Sequence, residues 1–398
     1  MSEREVLTFI AEHFDPHPQV LKKFLLKYYP ESHEVEMKEI RQERNLRKFL
    51  SLTKIAGCER HDFVLGGVVV IFARDLKLVD YGDNDTRLAL SPGSEVGAIF
   101  LPPSASKMVD EVIGKIELSG LSLLNLKAFH LCAGDIENAA KALQVDPDIL
   151  KGETEDNKSS YCVYLEFRGL NAIAASAASI DCYDILVAAS SSKQIEVFRN
   201  HFLFKLHKPI ARYESMPESS CCVIKPHAVK SRLVGKIMRD IKKEGVEVTA
   251  MQVFHMDRTQ ATEFYEVYSG TKDFQSKFCS QVSTVIALSI SSNTDSTLMP
   301  YTEMVDEVVS GPVLAMEVNA SVKDFRMKVG PWDVELAKSL YPDTIRAKFG
   351  RTTVQNVVHC TDLEEEGNTE LSYFFDILAA EEEYCINPGI QKDNGKMR

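Results

Sequence analysis

At 398 residues, with 44% hydrophobic and 26% charged side chains, the chain is too long for one hydrophobic core and predicts two or three globular domains. A net charge of −12 argues against a general nucleic-acid binder or a protein held on an anionic membrane. The longest apolar run, residues 63–73, contains two glycines and is too short to span a bilayer.

Residues 1–90 read as a small β-rich module. Strands are expected at 7–11 and 23–29, with Tyr29-Pro30-Glu31-Ser32 turning the chain after the second. The β-branched run 68–72 has the character of a buried strand, and 77–81 alternates before Gly82-Asp83-Asn84-Asp85 ends the segment. Residues 41–48 are too charged for a core and read as a solvated connection. No acid, base and nucleophile cluster here.

Residues 95–205 have a different texture. A short apolar strand at 96–101 precedes Pro102-Pro103, and Met108, Val109, Val112, Ile113 and Ile116 form one helical stripe over 108–118. Gly120 closes that helix, and strands follow at 121–131 and 161–166. The polar stretch 152–160 reads as a loop, and the small-residue run 174–178 says little.

Residues 219–380 repeat that order. A strand at 221–224 is broken by Lys225-Pro226, and a helix over 233–241 carries Val234, Ile237 and Ile241 on one face. Gly245 occupies the position after the helix where a left-handed conformation suits glycine, and strands follow at 246–254 and 312–318. The recurrence predicts an internal duplication. Residues 381–398 form a polar tail. Nine cysteines with no C-x-x-C pair read as buried thiols in a reducing compartment, and Met1-Ser2-Glu3-Arg4-Glu5 carries no apolar leader, so an intracellular protein is expected.

Chemistry concentrates in the second copy. From Arg346 through Asn356, His359, Thr361 and Asp362, a guanidinium, an amide, an imidazole, a hydroxyl and a carboxylate fall within 17 positions. Taken alone, a histidine beside Val357-Val358 is more often a packed core residue than a catalyst. Its companions change that reading. Lys225 ends a strand before a proline, Arg326 and Arg346 offer planar donors that match phosphate oxygens, and Glu370 can fix the imidazole tautomer. The combination suits a histidine nucleophile with cations neutralising a migrating phosphoryl group.

The ordered motifs Cys222-Val223-Ile224-Lys225-Pro226-His227, Ser310-Gly311-Pro312-Val313-Leu314-Ala315-Met316, Pro342-Asp343-Thr344-Ile345-Arg346 and Asn356-Val357-Val358-His359-Cys360-Thr361-Asp362 resemble the successive signatures of nucleoside diphosphate kinases. The resemblance covers nearly all of 219–380. It implies an enzyme in which His359 carries the γ-phosphate of a nucleoside triphosphate to a nucleoside diphosphate, with Glu370 orienting it and Tyr265 assisting. It further implies that Lys225 and Asn356 contact ribose hydroxyls, that Arg326 and Arg346 bind phosphates, and that Mg²⁺ is held through the nucleotide, with no dedicated metal ligands. Trp332 stands where the family has a phosphate-binding threonine, and Cys360-Thr361 replaces the usual Gly-Ser. The stretch 272–300 is longer than the family allows; a surface loop, a partner contact or retained non-coding sequence all fit it, and Phe274 and Tyr301 compete as the base-stacking residue.

The first copy resembles the same fold without its chemistry: Leu101 or Pro102 stands at the lysine's place, and no histidine lies between His130 and His201. Residues 1–90 resemble the DM-ten domain through Phe9-Ile10-Ala11-Glu12-His13-Phe14-Asp15, Lys27-Tyr28-Tyr29-Pro30, Glu34-Val35-Glu36-Met37 and Leu78-Val79-Asp80-Tyr81-Gly82-Asp83. One such module before two kinase-like copies is the organisation of the seven-type branch of the family. The expected fold is multidomain: a β-rich pleckstrin-like module at 1–90, then two α/β ferredoxin-like sandwiches with antiparallel sheets at 95–205 and 219–380. The resemblance implies tubulin, doublet-microtubule proteins or the γ-tubulin ring complex as partners, and cytoplasm, cytoskeleton, ciliary or flagellar axoneme, centrosome or basal body as the setting. It leaves open a non-catalytic microtubule role with a vestigial nucleotide site.

Overall fold

The computed structural model describes residues 6–15, 20–41, 46–55, 60–63, 67–72, 74–90, 94–131, 133–150, 161–203, 219–266 and 301–381. They fall into two compact units, 1–210 with 230–239 and 380–398, and 211–229 with 240–379. The expected loop at 152–160, the insert at 272–300 with Phe274, and the polar tail from 382 onward lie outside the described residues.

The first unit opens with six antiparallel strands, β1 (Leu7–Asp15), β2 (Val20–Tyr29), β3 (Glu34–Ile40), β4 (Leu46–Lys54), β5 (Val68–Ile71) and β6 (Arg74–Tyr81), in the order β4-β3-β2-β1-β6-β5. Strand periodicity turns Phe24, Leu26 and Tyr28 to one face, where they meet Leu7, Phe9, Met37, Leu76 and Leu78 in a dry core. Phe63 stacks on Tyr28 with ring centroids 3.8 Å apart. The helix Asn84–Leu90 follows, and Thr86 accepts the backbone N–H of Thr8 at 2.8 Å, which fastens it to the first strand.

Three expectations for this module change. The charged segment 41–48 is not a connection throughout, because β4 begins at Leu46 and runs mostly exposed at the edge of the sheet. Exposed edge strands carry charge without penalty, which hid this one. The run 68–72 is not fully buried, since β5 is the other edge strand and alternates, with Val68 and Val70 outward and Val69 and Ile71 inward. Gly82 through Asp85 does not simply end the segment, for it leads into the helix: Asp83 accepts the N–H of Thr86 at 2.7 Å.

The same unit continues with β7 (Ser94–Leu101), β8 (Ser122–Phe129), β9 (Cys162–Leu170) and β10 (Val187–Ala188), antiparallel in the order β10-β7-β9-β8. The stripe read from sequence forms the helix Val109–Leu118. The uninformative run 174–178 is inside a second helix, Ala172–Ile180, whose first turn donates from Ile173 N–H to Glu95 at 3.1 Å. The second unit holds β11 (Ser219–Ile224), β12 (Glu247–Phe254), β13 (Val313–Asn319) and β14 (Val358–Cys360), antiparallel in the order β12-β13-β11-β14. Both four-stranded sets are the α/β sandwiches expected.

The two sets share a structural mark. In the first, the register of β8 on β9 slips between Leu123 and Asn125, opposite Phe167 and Glu166. In the second, β12 on β13 slips between Val248 and Ala250, opposite Val318 and Glu317. One bulge at one place, beside a fully buried glutamate in each copy, is strong support for duplication. Gly120 (φ +85°) and Gly245 (φ +76°) end the preceding helices in the left-handed region, where L side chains are strained.

Gly97 of β7 lies directly beneath the helix Ala172–Ile180. A Cβ there would sit 2.4 Å from the Ala172 carbonyl oxygen and 2.3 Å from the Ser176 hydroxyl. Gly97→Ala is expected to destabilise the protein by about 1–3 kcal/mol through overpacking, read as a lower urea midpoint at unchanged slope.

Candidate functional site

The second unit brings the singled-out residues together around the end of β11 and the entry to β14. Lys225 follows the last residue of β11, and three bonds tie it to the segment before β14. Its backbone N–H donates to Val357 O at 2.9 Å, and its ammonium donates to Val354 O at 2.9 Å and Asn356 Oδ1 at 2.7 Å. Asn356 is fully buried and in turn donates to the Trp332 carbonyl at 3.3 Å. Trp332 therefore contributes a main-chain acceptor here, and its indole offers no equivalent of a threonine hydroxyl.

Val357 has φ +79°, unusual for a β-branched residue, and the N–H of Val358 reaches Asn356 O at 3.0 Å across it. This is a γ-turn of the strained, positive-φ kind. It reverses the chain into β14, where His359 pairs with Val223.

His359 is buried and hydrogen-bonded through Nε2 to Glu370 Oε1 at 2.9 Å. An ionised carboxylate only accepts, so the bond places the ring proton on Nε2 and the lone pair on Nδ1. Glu370 is itself held: Thr361 donates its hydroxyl to Oε2 at 2.8 Å, and that hydroxyl oxygen accepts the N–H of Cys221 at 3.0 Å. Phe264 meets the imidazole edge-on at a centroid distance of 4.9 Å, and Tyr265 lies at 6.1 Å. Burial first, then the Glu307 and Glu370 charges, push the Tyr265 phenol well above its ordinary value, so it acts as a neutral group.

Arg346 sits beneath β14. Its guanidinium donates to Gly330 O at 2.9 Å and Val358 O at 3.0 Å. Gly330 makes this possible: it has φ +90°, and a Cβ there would lie 2.3 Å from the Thr344 hydroxyl. Arg326, on the helix Val322–Val329, pairs with Asp362 just beyond β14. Burial, and then the Arg346 charge, pull the Lys225 ammonium down to about 7, with Glu307 acting in the opposite direction. Tyr301 is half-buried and donates to Thr262 O at 3.2 Å. Among the described residues no group of three or more His, Cys, Asp or Glu side chains is placed to hold a metal ion, and no helix is long and apolar enough to cross a membrane.

The family profile described as "Nucleoside diphosphate kinase" matches residues 218–297 and 294–379, two stretches that meet inside the long segment before Tyr301. Nucleoside diphosphate kinase homolog 7 of Rattus norvegicus is 31% identical over 411 residues, covering 95% of this chain and 94% of that protein. The chain belongs to the nucleoside diphosphate kinase family. The homolog 7 of Mus musculus is likewise 31% identical over 410 residues, while the nucleoside diphosphate kinase of Sulfolobus acidocaldarius is 30% identical over 155 residues, 38% of this chain and 86% of that one. Among solved structures, the nucleoside diphosphate kinase of Aquifex aeolicus is similar at 27% identity, covering 40% of this chain and 95% of its own, with a TM-score of 0.32.

Within this member of the family, the shared bulge aligns the two copies residue by residue. Glu166 faces Ala98 and Glu317 faces Cys221, so Pro102 corresponds to Lys225. Val187 pairs with Phe100 as His359 pairs with Val223, so Val187 stands at the place of His359. The first copy has lost the imidazole and the ammonium alike. Motif reading did not single out Phe264, Gln355 or Glu307, and it named Thr361 and His227 within motifs without giving either a partner.

Thr361→Val removes the hydroxyl that joins Cys221 to Glu370 and leaves a buried N–H without its acceptor. A loss of about 1–3 kcal/mol in stability is expected by chemical denaturation. The Nε2–H tautomer of His359 should also become less populated in imidazole ¹⁵N spectra.

Proposed function

We propose that the second kinase-like copy transfers phosphate between nucleoside tri- and diphosphates through His359. The observation that carries this reading is the His359–Glu370 bond, which leaves the nucleophilic lone pair on Nδ1 and gives the imidazolium a counter-charge as it forms. Nδ1 attacks the γ-phosphorus, the N–P bond forms, and the bond to the β,γ-bridging oxygen breaks, so that the diphosphate leaves with the electron pair. A terminal oxygen of a second nucleoside diphosphate then takes the phosphoryl group and the N–P bond breaks. Arg326 and Arg346 supply positive charge beside the strand that carries His359, and Lys225 with Asn356 offers donors for ribose hydroxyls. Mg²⁺ held through the nucleotide phosphates would withdraw charge from the phosphoryl oxygens, and the cationic donors Lys225, Arg326 and Arg346 fit phosphates rather than a bare metal.

A second reading, a non-catalytic microtubule-associated role, is favoured by Trp332, which replaces a hydroxyl donor with an indole, and by the first copy's loss of both key residues. The likeness of residues 1–90 to DM-ten domains supports placing the protein on ciliary or flagellar microtubules, with tubulin or the γ-tubulin ring complex as partner. Fluorescently tagged protein confined to the cytosol of ciliated cells would end that placement.

Purified protein incubated with γ-labelled ATP and Mg²⁺ is expected to take up acid-labile, base-stable label, and His359→Ala to take up none. Lys225→Met is expected to slow labelling by about 10²–10³-fold, the cost of one donor in a dry site. Wild type that stays unlabelled while binding microtubules would decide for the second reading.

A further inference from the structure

A buried cluster behind Lys225 has no part in the transfer just described. Glu307, on the helix Tyr301–Val308, is 8% exposed and reaches both sides of the site with its two oxygens. Oε1 accepts the backbone N–H of His227 at 3.0 Å and faces His227 Nδ1 at 2.8 Å. Oε2 accepts from Gln355 Nε2 at 3.3 Å. His227 lies two residues after Lys225, and Gln355 lies one residue before Asn356. One carboxylate therefore grips both chain segments whose side chains meet in the Lys225–Asn356 bond.

We propose that Glu307 is a positioning residue that holds the Lys225 ammonium, charged, against Asn356 so that the pair is presented as one donor unit. This rests on the nucleotide-site reading above for what the pair would bind, but not for the grip itself. The groups facing Lys225 are Arg346, Glu307, Cys360 and Asn356. Those facing Glu307 are His227, Gln355, Lys225 and Tyr265. Burial alone would raise the Glu307 carboxyl, but the bonds from His227 outweigh it and leave the group below its ordinary value, hence anionic at neutral pH. It is the carboxylate among the groups facing Lys225, opposing the Arg346 charge that drives the proton off. Neutralising it removes that opposition, so Lys225 loses its proton at lower pH.

The test is a ¹³Cε-lysine NMR titration of the full chain without nucleotide, in wild type, Glu307→Gln and Glu307→Asp. The Lys225 signal is identified by its loss in Lys225→Arg. Glu307→Gln is expected to lower the Lys225 midpoint by about 1 pH unit, and Glu307→Asp, which keeps the charge, to leave it close to wild type. Calorimetry with ADP at pH 6 and pH 8 should then show Glu307→Gln weakened by up to about tenfold at pH 8 and little at pH 6. An unmoved midpoint in Glu307→Gln, or an equal shift in Glu307→Asp, overturns the proposal. A midpoint that moves as stated in a wild-type background that binds no ADP supports the grip and sinks the nucleotide reading instead. Should Glu307→Gln fold poorly, Gln355→Leu, which cuts one of the two grips, is expected to lower the midpoint in the same direction; an unchanged midpoint there counts against the proposal.

Discussion

The second unit's chemistry depends on one buried ammonium placed where the end of a central strand meets a strained turn. Lys225 uses its main-chain N–H and its side chain on three acceptors of the 354–357 segment. A γ-turn at a β-branched residue stores about 1–3 kcal/mol and persists only where its surroundings over-determine it. Here the determination comes from Lys225 on one side and from Arg346, which holds the next carbonyl at Val358, on the other. The turn in turn fixes the direction in which β14 leaves, and with it the register that sets His359 opposite Val223. Two cationic groups are thus held on backbone carbonyls and on Asn356 Oδ1, close enough for the Arg346 charge to add to burial in lowering the Lys225 ammonium.

The histidine's orientation is secured from the other flank. The series from Cys221 N–H through Thr361 to Glu370 and on to Nε2 starts in β11, crosses to the residue after β14, passes through the helix Gly367–Ser372, and returns to His359 in β14. The Thr361 hydroxyl both accepts and donates, and Glu370 accepts on both oxygens, so each of these polar atoms has a partner. Phe264 closes the ring's edge and excludes water from that side. Together with Lys225 and Arg346, this makes His359 the meeting point of two independent sets of restraints.

Much of this was legible beforehand for a physical reason. Sheets buried on both faces give continuous apolar strands such as Cys221–Ile224, and amphipathic helices give stripes such as Val109–Leu118, so the order of elements could be read from the residues. Lys225, Arg326, Arg346, Asn356, His359 and Glu370 stood out because each breaks an apolar context or matches a spaced motif. Leu46–Lys54 stayed hidden because an exposed edge strand needs no hydrophobic signature, and Ala172–Ile180 because alanine and serine carry little periodicity. Glu307 and the contacts of His227 and Thr361 stayed hidden for another cause. Their partners lie 80 residues away for the first pair and across three segments for the last, and no local spacing encodes such a contact.

The shared bulge lets the loss of chemistry in the first copy be measured along the backbone as well as in side chains. From the buried glutamate to the fourth strand, the first copy needs 187 − 166 = 21 residues, whereas the second uses 359 − 317 = 42. The longer span of the second copy carries Arg326, Gly330, Arg346 and the turn at Val357. Lysine at Pro102 and histidine at Val187 would return two side chains without the 21 further residues that separate the corresponding strands of the second copy. Point substitution at those two positions therefore does not turn the first copy into the second.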